Sequence, residues 1–169
     1  MDTRTVCIRV MSEPSAHTIW LKPEQTILEL MKKPFGYASD PISVYRVVVG
    51  SEETRAIAAH YLTLNRTSYQ TVWALRIEPQ DLDHIGMSIR ESPGNTGISD
   101  IDAKHCDIIG VQREFELLTQ HIYDRIRYGE DRLRVVGPIQ LKHQIQDFLT
   151  AGSSIVSEAA RARCLQLPQ

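Results

Sequence analysis

Apolar and polar side chains alternate over residues 5–11. Val6, Ile8 and Val10 fall on one side and Cys7, Arg9 and Met11 on the other, the period of two that marks a half-buried strand. Ser12, Glu13, Pro14 and Ser15 read as a turn, and the β-branched and aromatic residues 17–21 follow as the second arm of a hairpin. Pro23 suits the first turn of a short helix with Ile27, Leu30 and Met31 on one side, stopped by Lys32, Lys33 and Pro34. Near-continuous β-branching over residues 44–49 predicts a strand covered on both faces. Gly50 ends it, and Ser51 caps a helix whose apolar stripe is Ile57, Ala58, Tyr61 and Leu62, closing near Asn65 and Arg66.

A second unit begins near Tyr69. Thr71, Trp73, Leu75 and Ile77 alternate with Val72, Ala74 and Arg76 as a strand. Residues 82–89 then read either as its antiparallel partner or, over residues 81–84, as a short helix. Pro93, Gly94, Asn95 and Gly97 make residues 92–104 the longest loop signal in the chain. Val111, Phe115, Leu118, Ile122 and Ile126 recur at helical spacing up to Gly129. Residues 133–136 form a short strand, and Pro138 opens a helix with Leu141, Ile145, Phe148 and Leu149 on its stripe. Ile155 and Val156 suit a last short strand, and residues 158–164 a weak helix in a frayed tail. The strand–helix order predicts an α/β fold, with α+β as the alternative: a mixed sheet flanked by helices. Its boundaries fall at 1–66, 67–157 with a long loop at 91–110, and 158–169, as two small subdomains or one continuous domain.

Composition narrows this picture. The chain has 169 residues, 42% hydrophobic and 24% charged, with 9 Gly and 8 Pro, which excludes disordered and collagen-like architectures and suffices for one sizeable core. No apolar run is long enough to span a bilayer, and residues 1–4 lack a signal-peptide pattern, so the expected address is cytoplasmic with no membrane partner. Cys7, Cys106 and Cys164 are too scattered for a disulfide framework or zinc ribbon and are expected to be reduced. Nineteen basic against 21 acidic residues leave no global field for nucleic acid, so any polyanion site must be local.

The densest reactive group is Asp100, Asp102, His105, Cys106 and Asp107. Such side chains are metal ligands, and a cysteine beside a histidine is a candidate nucleophile. Adjacent residues on a strand face opposite ways, however, so a solvated acidic loop with a half-buried cysteine is the stronger expectation. Gly50–Ser51 lacks the glycine fingerprint of a phosphate loop, and Glu52 and Glu53 complement the helix dipole there and would repel an anion. Gly137–Pro138 has no acid in its first helical turn and has Lys142 and His143 a turn later, so an anion there is conceivable, with ordinary capping favoured. Arg113, Arg125 and Arg127 are interleaved with acids along one helix and are either surface ion pairs or, with Lys142, a partner- or RNA-binding set. No metal site or cofactor is expected.

Two families are suggested. The stretch His17-Thr18-Ile19-Trp20-Leu21-Lys22-Pro23 and on to Leu30 resembles the second strand and helix start of ubiquitin-like β-grasp domains, which implies a protein-interaction surface. Residues 69–150, with Arg132-Leu133-Arg134-Val135-Val136-Gly137-Pro138 leading into residues 139–149, resemble the middle domain of the peptide-release-factor and Pelota family. That resemblance implies binding at a ribosome or to tRNA-like RNA. Gly110-Val111-Gln112 stands where the family's Gly-Gly-Gln loop promotes hydrolysis, which makes Gln112 a candidate catalytic residue. Val111 removes the backbone freedom of a second glycine, so a relative without hydrolysis fits better. The expected function is thus a non-catalytic interaction module with a protein partner, ribosome- or RNA-associated. The alternatives are a hydrolase using the 100–107 loop, with His105 or Cys106, and a structural subunit docking through Trp20, Leu165 and Leu167.

Overall fold

A computed structural model describes residues 4–11 and 41–168. The expected hairpin arm at 17–21 and helix at 23–33, and with them the stretch that resembles β-grasp domains, lie outside the described residues. The elements in chain order are β1 (Thr5–Met11), β2 (Ile42–Val48), α1 (Ser51–Leu62), β3 (Val72–Ile77), α2 (Pro79–Ile85) and β4 (Ser88–Glu91). They continue with α3 (Ser99–Asp102), β5 (His105–Ile109), α4 (Gln112–Arg127), β6 (Leu133–Val136), α5 (Pro138–Thr150) and α6 (Glu158–Gln166).

The strands form one open sheet in the order β4-β5-β2-β1-β3-β6, antiparallel at every pairing among the described residues. Strands from before and after residue 66 are interleaved in it. Helices cover both sides, so the fold is of the α/β kind that the strand and helix pattern predicts. On the first face Val6, Ile8, Tyr45, Val47, Val72 and Ala74 pack with α1, α5 and α6. On the second, Cys7, Val44, Leu75, Ile77, Cys106 and Ile108 pack under α2 and α4 through Leu82, Phe115, Leu118 and Ile122. Strand β2 contributes to both clusters, which explains its lack of clean alternation.

Three segments depart from the expected pattern. Residues 82–89 do not return as a partner of β3; the alternative expectation, a short helix at 81–84, is met by α2. Pro79 takes the first turn of α2, the Asp81 carboxylate accepts the Glu78 N–H at 2.7 Å, and Gly86, at φ 85°, closes the helix in the left-handed region. Strand β4 then pairs with β5. The 92–104 loop contains α3 and is stitched by Asp102, which accepts from the Thr96 N–H at 2.8 Å, the Thr96 hydroxyl at 2.7 Å and the Gly97 N–H at 3.0 Å.

The third is the tail, where the weak helix expected at 158–164 forms as α6 and docks on the core in place of fraying. Ser157 caps it by accepting the Ala160 N–H at 3.2 Å, and Ala160, Cys164 and Leu167 enter the first core cluster. Three small or isolated apolar residues are too faint a stripe to announce this docking. Gly97 permits it: a Cβ there would lie 2.4 Å from the Ser157 Oγ and 3.0 Å from the Ala160 Cβ, and its φ is 80°. Val156 meets Ile98 in an isolated bridge in place of a strand.

Two-sided cover also buries charge. Arg76 on β3 reaches Glu53 of α1 through Nε at 2.7 Å and Nη2 at 2.8 Å, with both side chains at most 5% exposed, and its other nitrogen meets Asp131. Removing one member strands the other in low dielectric, which costs about 3–5 kcal/mol, whereas replacing both by apolar residues need not. Arg76→Met should therefore lower unfolding free energy by about that amount, and Glu53→Met/Arg76→Met should recover part of it. Urea unfolding of the two variants checks this, and a double variant less stable than the single would contradict it.

Candidate functional site

On the first face the β2–β5 register sets Tyr45 opposite His105 and Ser43 opposite Asp107. The last turn of α1 brings His60, its C-cap brings Thr63, the segment after β4 brings Ser92, Pro93 and Asn95, and β1 brings Arg9. Together these line an open cleft of about 460 Å³, within the roughly 300–1,000 Å³ usual for small-ligand sites.

Tyr45 is the hub. Its ring meets His60 and His105 edge-on, with centroids 5.9 and 5.3 Å away. The Tyr45 hydroxyl lies 3.2 Å from the His60 Nδ1. Burial, reinforced by the negative charge of Asp102, pushes the phenol up to about 12, so it stays protonated near pH 7. A phenol both donates and accepts, so either neutral tautomer of His60 satisfies this contact. Across the cleft, the His105 Nδ1 sits 3.2 Å from the Ser92 carbonyl oxygen and 2.8 Å from the Ser92 Oγ. A carbonyl only accepts, so the network assigns the His105 proton to Nδ1 and leaves Nε2 as an acceptor. The cleft thus holds two imidazoles, each anchored through its Nδ1, on either side of Tyr45.

The surroundings tune these groups. Burial, with Arg9 adding positive charge nearby, pushes His60 down to about 4, so it is neutral near pH 7. Burial also lowers Arg9, whose Nη1 donates to the Ser43 carbonyl at 2.8 Å. Asp107 accepts the Ser43 hydroxyl at 3.3 Å and faces Arg90 at 3.8 Å. Several shifted groups in one concavity are a physical mark of a functional site.

The residues singled out in the sequence scatter. His105 lies in the cleft. Cys106, its neighbour on β5, points to the opposite face and is 3% exposed. There it pairs with the Cys7 thiol, which that hydrogen bond and burial push well above the ordinary thiol range. Strand β2 lies between β1 and β5, a separation of roughly 9–10 Å that exceeds the Cα distance of a disulfide. Asp100 is held by Arg55 at 3.0 and 3.1 Å, and Asp102 is spent on the loop contacts above.

Gln112 opens α4 with its amide on Glu116 at 3.1 Å, beside an exposed Val111. Arg125 pairs with Glu130 at 2.7 Å, Arg127 lies 5.8 Å over the Tyr123 ring, and Arg113 is exposed on the same helix. Lys142, on α5, belongs to the opposite layer. Arg9, Tyr45, His60 and Ser92 carried no signal of their own, because only strand register and helix docking bring them beside His105. Among the described residues no group of three or more His, Cys, Asp and Glu is placed to hold a metal ion. No helix is long and apolar enough to cross a membrane among those residues. No protein-family model, curated protein or solved structure matches this chain.

The depressed His60 gives a measurable pH signature. On acidification the unfolded chain takes up this proton near the ordinary value of 6.5 and the folded chain only near 4. The stability it contributes is therefore complete above 6.5 and lost as pH falls toward 4. Between pH 7 and pH 5 the loss is about 2 kcal/mol. Urea unfolding at the two pH values should show His60→Gln losing less stability than the native chain, and equal losses would exclude the buried neutral imidazole.

Proposed function

We propose that this domain is a non-catalytic binding module that takes a small polar ligand in the Tyr45 cleft. The observation that carries the proposal is the pair of imidazoles, His60 and His105, held through Nδ1 on either side of Tyr45 in one cleft. Ligands that both donate and accept, such as amides, carboxylic acids and polyols, satisfy that pair. Asn95, Thr63 and Asp107 supply further polar contacts in the wall. Buried, reduced cysteines suit a cytosolic setting.

A ribosome- or RNA-bound role draws on Arg113, Arg125 and Arg127 of α4 and on Lys142. Their division between two layers and the Arg125–Glu130 pair weaken it. Hydrolysis is the second reading, favoured by the unprotonated Nε2 of His105, a lone pair of the kind a general base for water requires. The release-factor resemblance adds no residue to this cleft.

The deciding experiment is an amide and imidazole chemical-shift screen of the full chain against small polar metabolites, with a parallel titration of single-stranded and hairpin RNA at low salt. Saturable shifts confined to Tyr45, His60, Ser92 and His105, weakened at least tenfold by His105→Ala, are expected. A silent cleft with RNA-induced shifts at Arg113 and Arg127 would overturn the proposal. Turnover of chromogenic esters that His105→Ala abolishes would replace it with the hydrolytic reading.

A further inference from the structure

A second concavity of about 560 Å³ lies at the other side of the sheet, between α2, the C-terminal half of α4 and residues 130–132. At its floor Asp81 is 2% exposed and accepts Arg132 at 2.9 and 3.3 Å. The same carboxylate lies 3.0 Å from the His121 Nε2, so that nitrogen carries the proton and donates, and Nδ1 is left as the ring's lone-pair nitrogen. His84, one turn along α2 from Asp81 and exposed, brings a second imidazole with its centroid 5.5 Å from that of His121 and its plane 31° away.

We propose that His84 and His121 form a two-histidine site for a borderline divalent transition metal, with water completing the shell. Two imidazoles that ligate one ion at metal–nitrogen distances of about 2.0–2.1 Å, with a tetrahedral angle between them, hold their ring centroids roughly 5 Å apart. The observed centroid spacing of 5.5 Å lies close to that value. Asp81 supplies the outer-shell carboxylate that orients and polarises a metal-bound imidazole. Arg132 and the Glu78 N–H satisfy the rest of that carboxylate, so it is pinned before any metal arrives.

Zinc titration of the full chain, by calorimetry with amide shifts followed in parallel, tests the site. One saturable equivalent, with shifts centred on His84 and His121, is expected. His84→Ala, a change at an exposed position that leaves the core intact, should weaken it at least tenfold. His121→Gln should do the same. Binding unchanged by His84→Ala, shifts centred on the cysteines or on His60 and His105, or no saturable binding at pH 7 would each overturn the proposal.

Discussion

Cover on both faces of the sheet is the constraint from which the rest of the structure follows. Because α1, α5 and α6 close one side and α2 and α4 the other, most positions of the central strands are interior, whichever way they point. A polar side chain at such a position must find a partner or lose its charge. Arg76 solves this with Glu53, Arg132 with Asp81, and the half-buried His60 by staying neutral. The two buried arginines also bind elements distant in sequence. One ties α1 to β3, and the other ties the turn after α4 to the start of α2.

The same constraint separates the chemistry into two places. Alternation along β5 sends His105 and Asp107 to the α1 side and Cys106 and Ile108 to the α4 side, so a sequence cluster of reactive residues becomes one cleft group and one core thiol. The cleft forms where α1 ends: Leu62 still packs in the core, while His60 and Thr63 face the gap before the 92–97 segment. The Asp102 carboxylate accepts from that segment three times, and Gly97 lets α6 approach it. Ser92 can therefore hold the His105 ring in one orientation. Across the sheet, the Asp81 carboxylate serves three roles at once: it accepts the N–H at the start of its own helix, neutralises Arg132 and orients His121.

Periodicity in the chain determined much of this protein by itself. The alternation of residues 5–11, the β-branched run ending at Val49, the stripe from Phe115 to Ile126 and the Gly137–Pro138 helix start are local patterns, and each became the expected element, because strand and helix periods are properties of neighbouring residues. Composition likewise announced a chain large enough for a covered sheet.

Tertiary structure alone decided the rest. Strand order is set by which faces can be buried together, so nothing local in residues 88–91 says that they pair with β5 and not β3. Residues 158–166 become a docked helix because Ala160 and Cys164 meet a gap that the core provides, a stabilisation absent from their own weak pattern. Tyr45 and His105 lie 60 residues apart yet face each other, since antiparallel register couples positions that sequence spacing does not. His60 joins them only through the packing of α1. A site assembled by register, docking and burial leaves no motif, because the interactions that define it are between elements and not along the chain.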